Sequence, residues 1–114
     1  MLIEIDDANF ADGILRADRP VLAVFSAQWC GPCKRYTPVV EKLAEELEGA
    51  LTVAKVDIDR APEIASRYGV RMAPTTLLFR DGQLVAQHAG TMPEPALRRF
   101  IDSAPGCTPS AARR

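Results

Sequence analysis

Residues 21 to 25 read VLAVF, an unbroken apolar run with two β-branched members. A strand with one wet face would alternate. A continuous run reads as a strand buried on both faces, which favours a parallel sheet with helices on each side. LTVAKVDI (51–58) has the same character with one odd residue, Lys55, and LIEI (2–5) is a shorter strand. In TTLLFRDGQLVAQHA two strands flank Arg80-Asp81-Gly82-Gln83. Asp-Gly favours a tight type I′ turn, so these two strands should be antiparallel.

The intervening segments carry helical spacing. From 31 to 48, Tyr36, Val40, Leu43 and Leu47 recur at steps of four, three and four, and Gly49 stands where a left-handed C-cap belongs. Pro38 falls inside this helix and should kink it by removing a donor. Residues 7–17 place Phe10, Ile14 and Leu15 at helical spacing, although Gly13 weakens the pattern. Residues 59–69 read as a short helix with Asp59 as cap, an early Pro62 and a terminal Gly69. Leu97, Phe100 and Ile101 form the stripe of a last helix. It starts between Thr91 and Pro95, where a capping box from Thr91 to Glu94 competes with Pro93 and Pro95. The expected order is β-α-β-α-β-α-β-β-α, with the first three strands parallel through right-handed crossovers.

Composition adds limits. With 114 residues, 47% of them hydrophobic, the chain can bury a core as one domain without covalent staples. A net charge of -1 with no block of like charge argues against a nucleic-acid surface or a polybasic membrane patch. The N-terminus lacks a signal-peptide pattern and no run is long enough to span a bilayer, so a cytoplasmic protein is expected. A monomer is the default. Residues 1–104 form the expected domain, and 105–114, rich in Pro, Gly and Ser, the expected flexible tail. Cys107 in that tail reads as an incidental exposed thiol, with a regulatory or intermolecular disulfide as the alternative. His88 reads as a surface residue on an edge strand, not a general base.

The chemistry concentrates in QWCGPCK (28–34), where a buried strand ends and a helix begins. That is the carboxyl end of a strand in an open α/β sheet, where sites usually lie. A helix N-terminus offers unpaired N–H groups and partial positive charge, and both stabilise a thiolate. Cys30 faces that end, and Cys33 lies one turn inside, near enough to close a ring through Gly31 and Pro32. A metal site is a poor alternative, because one Cys pair with a distant His88 does not make four ligands. A permanent crosslink is a second, disfavoured by compartment and size.

Together WCGPCK, VAKVDID, YGVRMAPT and the FRDG hairpin ending at Gly90 resemble the thioredoxin family over residues 2 to 103. The resemblance implies an α/β thioredoxin fold, a mixed sheet of four or five strands flanked by helices on both faces. It implies a thiol–disulfide oxidoreductase that reduces protein disulfides, with Cys30 attacking and Cys33 resolving. Pro74 matches the family's cis-proline, whose preceding backbone would bind an extended substrate like an added strand. Trp29, Gly31, Pro32, Ala73, Pro74, Ala89 and Gly90 would form the docking surface for disulfide-containing proteins. No bound metal or cofactor is implied; electrons would come from NADPH through thioredoxin reductase.

The sequence also departs from the family. Val24 stands where thioredoxins usually carry a buried Asp that helps deprotonate the resolving cysteine. Lys55 matches the lysine near that Asp and so loses its partner. Its amine either reaches solvent or a carboxylate such as Asp57, or favours the Cys33 thiolate directly. Ala73 is smaller than the usual Ile or Val before the proline, and Ser26 replaces a common aromatic. Val24 and Ala73 keep one alternative open, a partner-specific binding module with slow or incidental turnover. An oxidase or isomerase of an oxidising compartment is opposed by the missing signal-peptide pattern and by the Gly-Pro between the cysteines.

Overall fold

The computed structural model describes residues 2–103. The expectations for the 105–114 tail and Cys107 therefore lie outside the described residues. Strands β1 (Leu2–Ile5), β2 (Val21–Ser26), β3 (Thr52–Asp57), β4 (Thr75–Arg80) and β5 (Gln83–Ala89) form one sheet in the order β1-β3-β2-β4-β5. Strand β3 pairs in parallel with β1 and β2, and β4 runs antiparallel to β2 and β5. The VLAVF run is the central strand, which is why it has no polar alternation. At the β4–β5 turn Asp81 has φ 53° and Gly82 φ 77°, the two positive values a type I′ turn requires.

Side-chain alternation along β2 divides the core in two. Leu22 and Val24 join Tyr36, Val40 and Leu43 of helix α1 (Gly31–Glu46) and Leu97 and Ile101 of α3 (Glu94–Ser103). Val21, Ala23 and Phe25 join Phe10, Ile14, Phe79 and Ile64 of α2 (Pro62–Arg67) on the opposite face. The sheet is thus covered on both faces, as the fold class requires.

Three local expectations need correction. The segment 7–17 is not a regular helix: only Ala11–Leu15 is helical, as a π-helical turn with Arg16 N–H donating to the Ala11 carbonyl. Asp6 and Asn9 occupy the preceding residues with reciprocal caps, Asp6 accepting from Asn9 N–H and Asn9 Oδ1 from Asp6 N–H. Gly13 belongs there because Ile5 packs where a Cβ would stand. The cap of α2 is not Asp59. Its free N–H groups at Glu63 and Ile64 are met by the Asp7 carboxylate, at 3.2 and 3.1 Å. Gly49 has φ 93° but does not cap α1, whose C-cap is Leu47. The helix itself continues through Pro38. The last helix begins at Glu94, and the Pro93 carbonyl accepts from Ala96 and Leu97. Pro95 thus sits in the first turn, where no backbone donor is needed.

Candidate functional site

Strand β2 ends at Ser26 and the chain turns, Cys30 N–H donating to the Ala27 carbonyl at 3.1 Å. Cys30 is then the N-cap of α1, and Pro32 fits the first turn. The free N–H of Cys33 points back at Cys30 Sγ at 3.1 Å. Cys30 and Cys33 are joined as a disulfide. Both cysteines are buried, Cys30 at 3% and Cys33 at 4% exposure, whereas neighbouring Trp29 is 67% exposed. The Trp29 indole N–H donates to Asp59 Oδ2 at 3.0 Å, which holds the ring beside the disulfide.

A second loop closes over Cys30. The Ala73–Pro74 bond is cis, as expected for Pro74. Cys30 Sγ lies 3.4 Å from the Ala73 carbonyl oxygen. A disulfide sulfur has no proton, so this is a contact; in the reduced protein the same geometry can hold an S–H donor. The loop is fixed by the Thr75 hydroxyl donating to the Met72 carbonyl at 2.7 Å and by Gly90 N–H donating to the Pro74 carbonyl at 2.8 Å. Thr75 also pairs with Ala89. The hairpin thereby brings Ala89 and Gly90 beside Ala73 and Pro74. Gly31, Pro32 and Ala89 are exposed, Ala73 and Gly90 half-buried, and Pro74 buried. Sequence reasoning passed over Met72, an apolar side chain 48% exposed at the edge of this loop. Its signal was its place in YGVRMAPT, directly before the Ala-Pro step. The role of Asp59 as the Trp29 acceptor was also missed, because it joins residues 30 positions apart.

Val24 is buried in the α1 core at 6% exposure. Its register neighbours are Lys55 and Thr76. Thr76 is fully buried and shares a 2.8 Å hydrogen bond with the Tyr36 hydroxyl. Burial pushes the Tyr36 phenol above its ordinary range, partly countered by the Thr76 hydrogen bond. Lys55 is exposed and makes no ion pair among the described residues. With Ser26, Cys33 and Asp57 it lines an open cleft of about 640 Å³. Among the described residues no cluster of three or more His, Cys, Asp or Glu could hold a metal, and His88 is exposed on edge strand β5. No helix of the described residues is long and apolar enough to cross a membrane.

The thioredoxin family model matches residues 1–103. The chain belongs to the thioredoxin family. Relatives include thioredoxin of Rhodospirillum rubrum, 41% identical over 100 residues that cover 88% of this chain and 96% of the relative. Thioredoxin of Pseudomonas aeruginosa is 39% identical over 102 residues, 90% of this chain and 94% of the relative. Thioredoxin of Chlorobaculum thiosulfatiphilum is 42% identical over 99 residues, 87% of this chain and 92% of the relative. Thioredoxins are protein-disulfide oxidoreductases, and with its Cys30–Cys33 disulfide this chain is one too. The binding-only alternative is not favoured. The family needs no bound cofactor, acts on disulfide substrates and is reduced by thioredoxin reductase.

Proposed function

We propose that this thioredoxin is a cytoplasmic, monomeric reductant of protein disulfides in which Cys30 attacks and Cys33 resolves. The observation that carries the assignment is the Cys33 N–H aimed at Cys30 Sγ from the first turn of α1. An N–H donor and the positive end of a helix both favour a thiolate at Cys30, and the thiolate is the attacking species. Cys30 thiolate attacks one substrate sulfur and releases the other as a thiol. Cys33 then attacks Cys30 Sγ, forms the intramolecular disulfide and releases the reduced substrate. The second step is favoured because Cys33 is held one turn away.

The docking surface is the patch of Trp29, Gly31, Pro32, Ala73, Pro74, Ala89 and Gly90, extended by Met72. The exposed apolar side chains of Trp29 and Met72 near the disulfide support it, since an apolar patch of this kind marks a protein contact. Open space above Gly31 and Gly90 leaves room for a partner backbone. Electrons come from NADPH through thioredoxin reductase.

The test is steady-state reduction of a generic protein disulfide with NADPH and a bacterial thioredoxin reductase. Rapid turnover, lost in Cys30→Ser, is the expected result. Turnover with a chemical dithiol alone would point to another electron donor. Failure with both would overturn the reading.

A further inference from the structure

Resolution needs the Cys33 thiol to lose its proton, and Val24 cannot take it. Cys33 is 4% exposed, so the route from its thiol to solvent is narrow. One route is visible: the cleft of about 640 Å³ that Cys33 lines together with Ser26, Ala27 and Thr37. The small Ser26 side chain helps leave it open. A polar, roomy cleft of this kind admits water with several hydrogen-bonding partners.

The charged groups around it come from every neighbouring element. They are Glu4 and Asp6 from β1 and the turn after it, Lys34 from α1, Lys55 and Asp57 from β3, and Arg60 from the following turn. Three carboxylates could receive a proton, and the topology separates them. Asp57 is in register with Ser26 on the adjacent strand, a spacing of about 4.8 Å. Val53, Lys55 and Asp57 alternate onto one face, and Val53 places that face in the α1 core. Glu4 lies one strand further out and pairs with Lys55, one row below. Asp6 follows β1, so it too lies one strand further from β2 than Asp57, and its Oδ1 is turned to the N–H groups of Ala8 and Asn9. Asp57 is half-buried and steadied by Asp59 N–H on Oδ1 at 2.9 Å.

We propose that this cleft is the proton exit for the resolving step, with Asp57 the carboxylate that receives the Cys33 proton through water. The proposal rests on Cys33 as the resolving thiol. In the mixed disulfide, Cys33 S–H gives its proton to the cleft. Its sulfur attacks Cys30 Sγ, the Cys30–Cys33 bond forms and the Cys30–substrate bond breaks. The electron pair leaves on the substrate sulfur, which takes a proton from solvent. Asp57 acts on Cys33 through water and is a positioning residue for the proton, not a group that touches the substrate. Lys55, facing the same cleft, keeps it hospitable to a carboxylate and to a developing thiolate.

The experiment is a stopped-flow reaction of the reduced full chain with an excess of a symmetrical aromatic disulfide whose thiolate absorbs visible light. Cys30 attack releases the first thiolate and Cys33 resolution the second. Asp57→Asn keeps the acceptor for Asp59 N–H. It should slow the second phase by at least about tenfold and leave the first within about twofold. The unmodified second phase should be flat across neutral pH. In Asp57→Asn it should rise about tenfold per pH unit below the thiol range, as hydroxide becomes the base. Asp57→Glu should restore the rate, and Glu4→Gln should change neither phase. An unchanged second phase or pH profile in Asp57→Asn would overturn the proposal. So would equal slowing of both phases, which would signal a structural effect. Absence of both thiolates with unmodified protein would overturn the exchange chemistry itself.

Discussion

Val24 sits in the α1 core, with Lys55 and Thr76 as its register neighbours on the adjacent strands. Val24→Asp should speed decay of a Cys30 mixed disulfide, because it restores the carboxyl group that thioredoxins usually carry at this position. Equal decay rates in the two proteins would refute that. The same substitution should cost roughly 1–3 kcal/mol in urea unfolding, and more as pH rises, since burial favours the protonated form. In that background Asp57→Asn should lose its effect on resolution. Tyr36 and Thr76 provide a second residue-scale prediction. Tyr36→Phe leaves the buried Thr76 hydroxyl without its 2.8 Å partner and should cost about 1–3 kcal/mol. Adding Thr76→Val should recover most of it, read as a double-mutant cycle. The Tyr36 phenol is raised in the folded protein. Its contribution is therefore complete below the unfolded value of 10.0 and is lost as pH rises through the folded one. Urea midpoints followed from neutral to alkaline pH should fall less steeply for Tyr36→Phe. The Cys30–Cys33 pair and the cis bond before Pro74 were legible because one short motif and one proline carry them. Met72, Asp57 and Asp59 were not, since exposure, cross-strand register and the Trp29 contact exist only after folding.

Among the elements, β2 and the hairpin were the most readable. A run of apolar residues and an Asp-Gly pair are local statements with one natural outcome each. The helices before β2 and after β3 were misread at their ends. The α2 cap comes from a tertiary neighbour, Asp7, across 56 and 57 positions, whereas the turn before β2 is closed by the local Asp6–Asn9 pair. Helix α2 closes with a Schellman motif, Val70 N–H donating to the Ala65 carbonyl and Gly69 N–H to that of Ser66. Gly69 has φ 68°, and a Cβ there would meet nothing within 4 Å, so Gly69→Ala should cost only the conformational penalty, about 1 kcal/mol. At Gly82 a Cβ would also lie 2.7 Å from the Leu15 carbonyl. Gly82→Ala should therefore cost more, roughly 2–3 kcal/mol. Denaturant midpoints of the two variants check the order.

For the molecule as a whole, the disulfide spans a sequence separation of only 3 and lies at a helix end already held by backbone and core. Closing so short a loop stabilises the fold by about 2 kcal/mol through the unfolded chain. Guanidinium unfolding with and without a reductant should show that gap. Folding and disulfide reduction form a closed thermodynamic cycle. Whatever the crosslink adds to the fold, the fold must add to the crosslink. A gap of about 2 kcal/mol lowers the reduction potential of the folded pair by about 40 mV relative to the same two cysteines in the unfolded chain. A substitution that weakens both redox forms alike, as Gly69→Ala should, leaves that potential in place. Only a change that distinguishes a sulfur–sulfur bond from two thiols can move it. The driving force for electron transfer is therefore set by the difference between two stabilities, and a destabilised variant can remain as good a reductant as its parent.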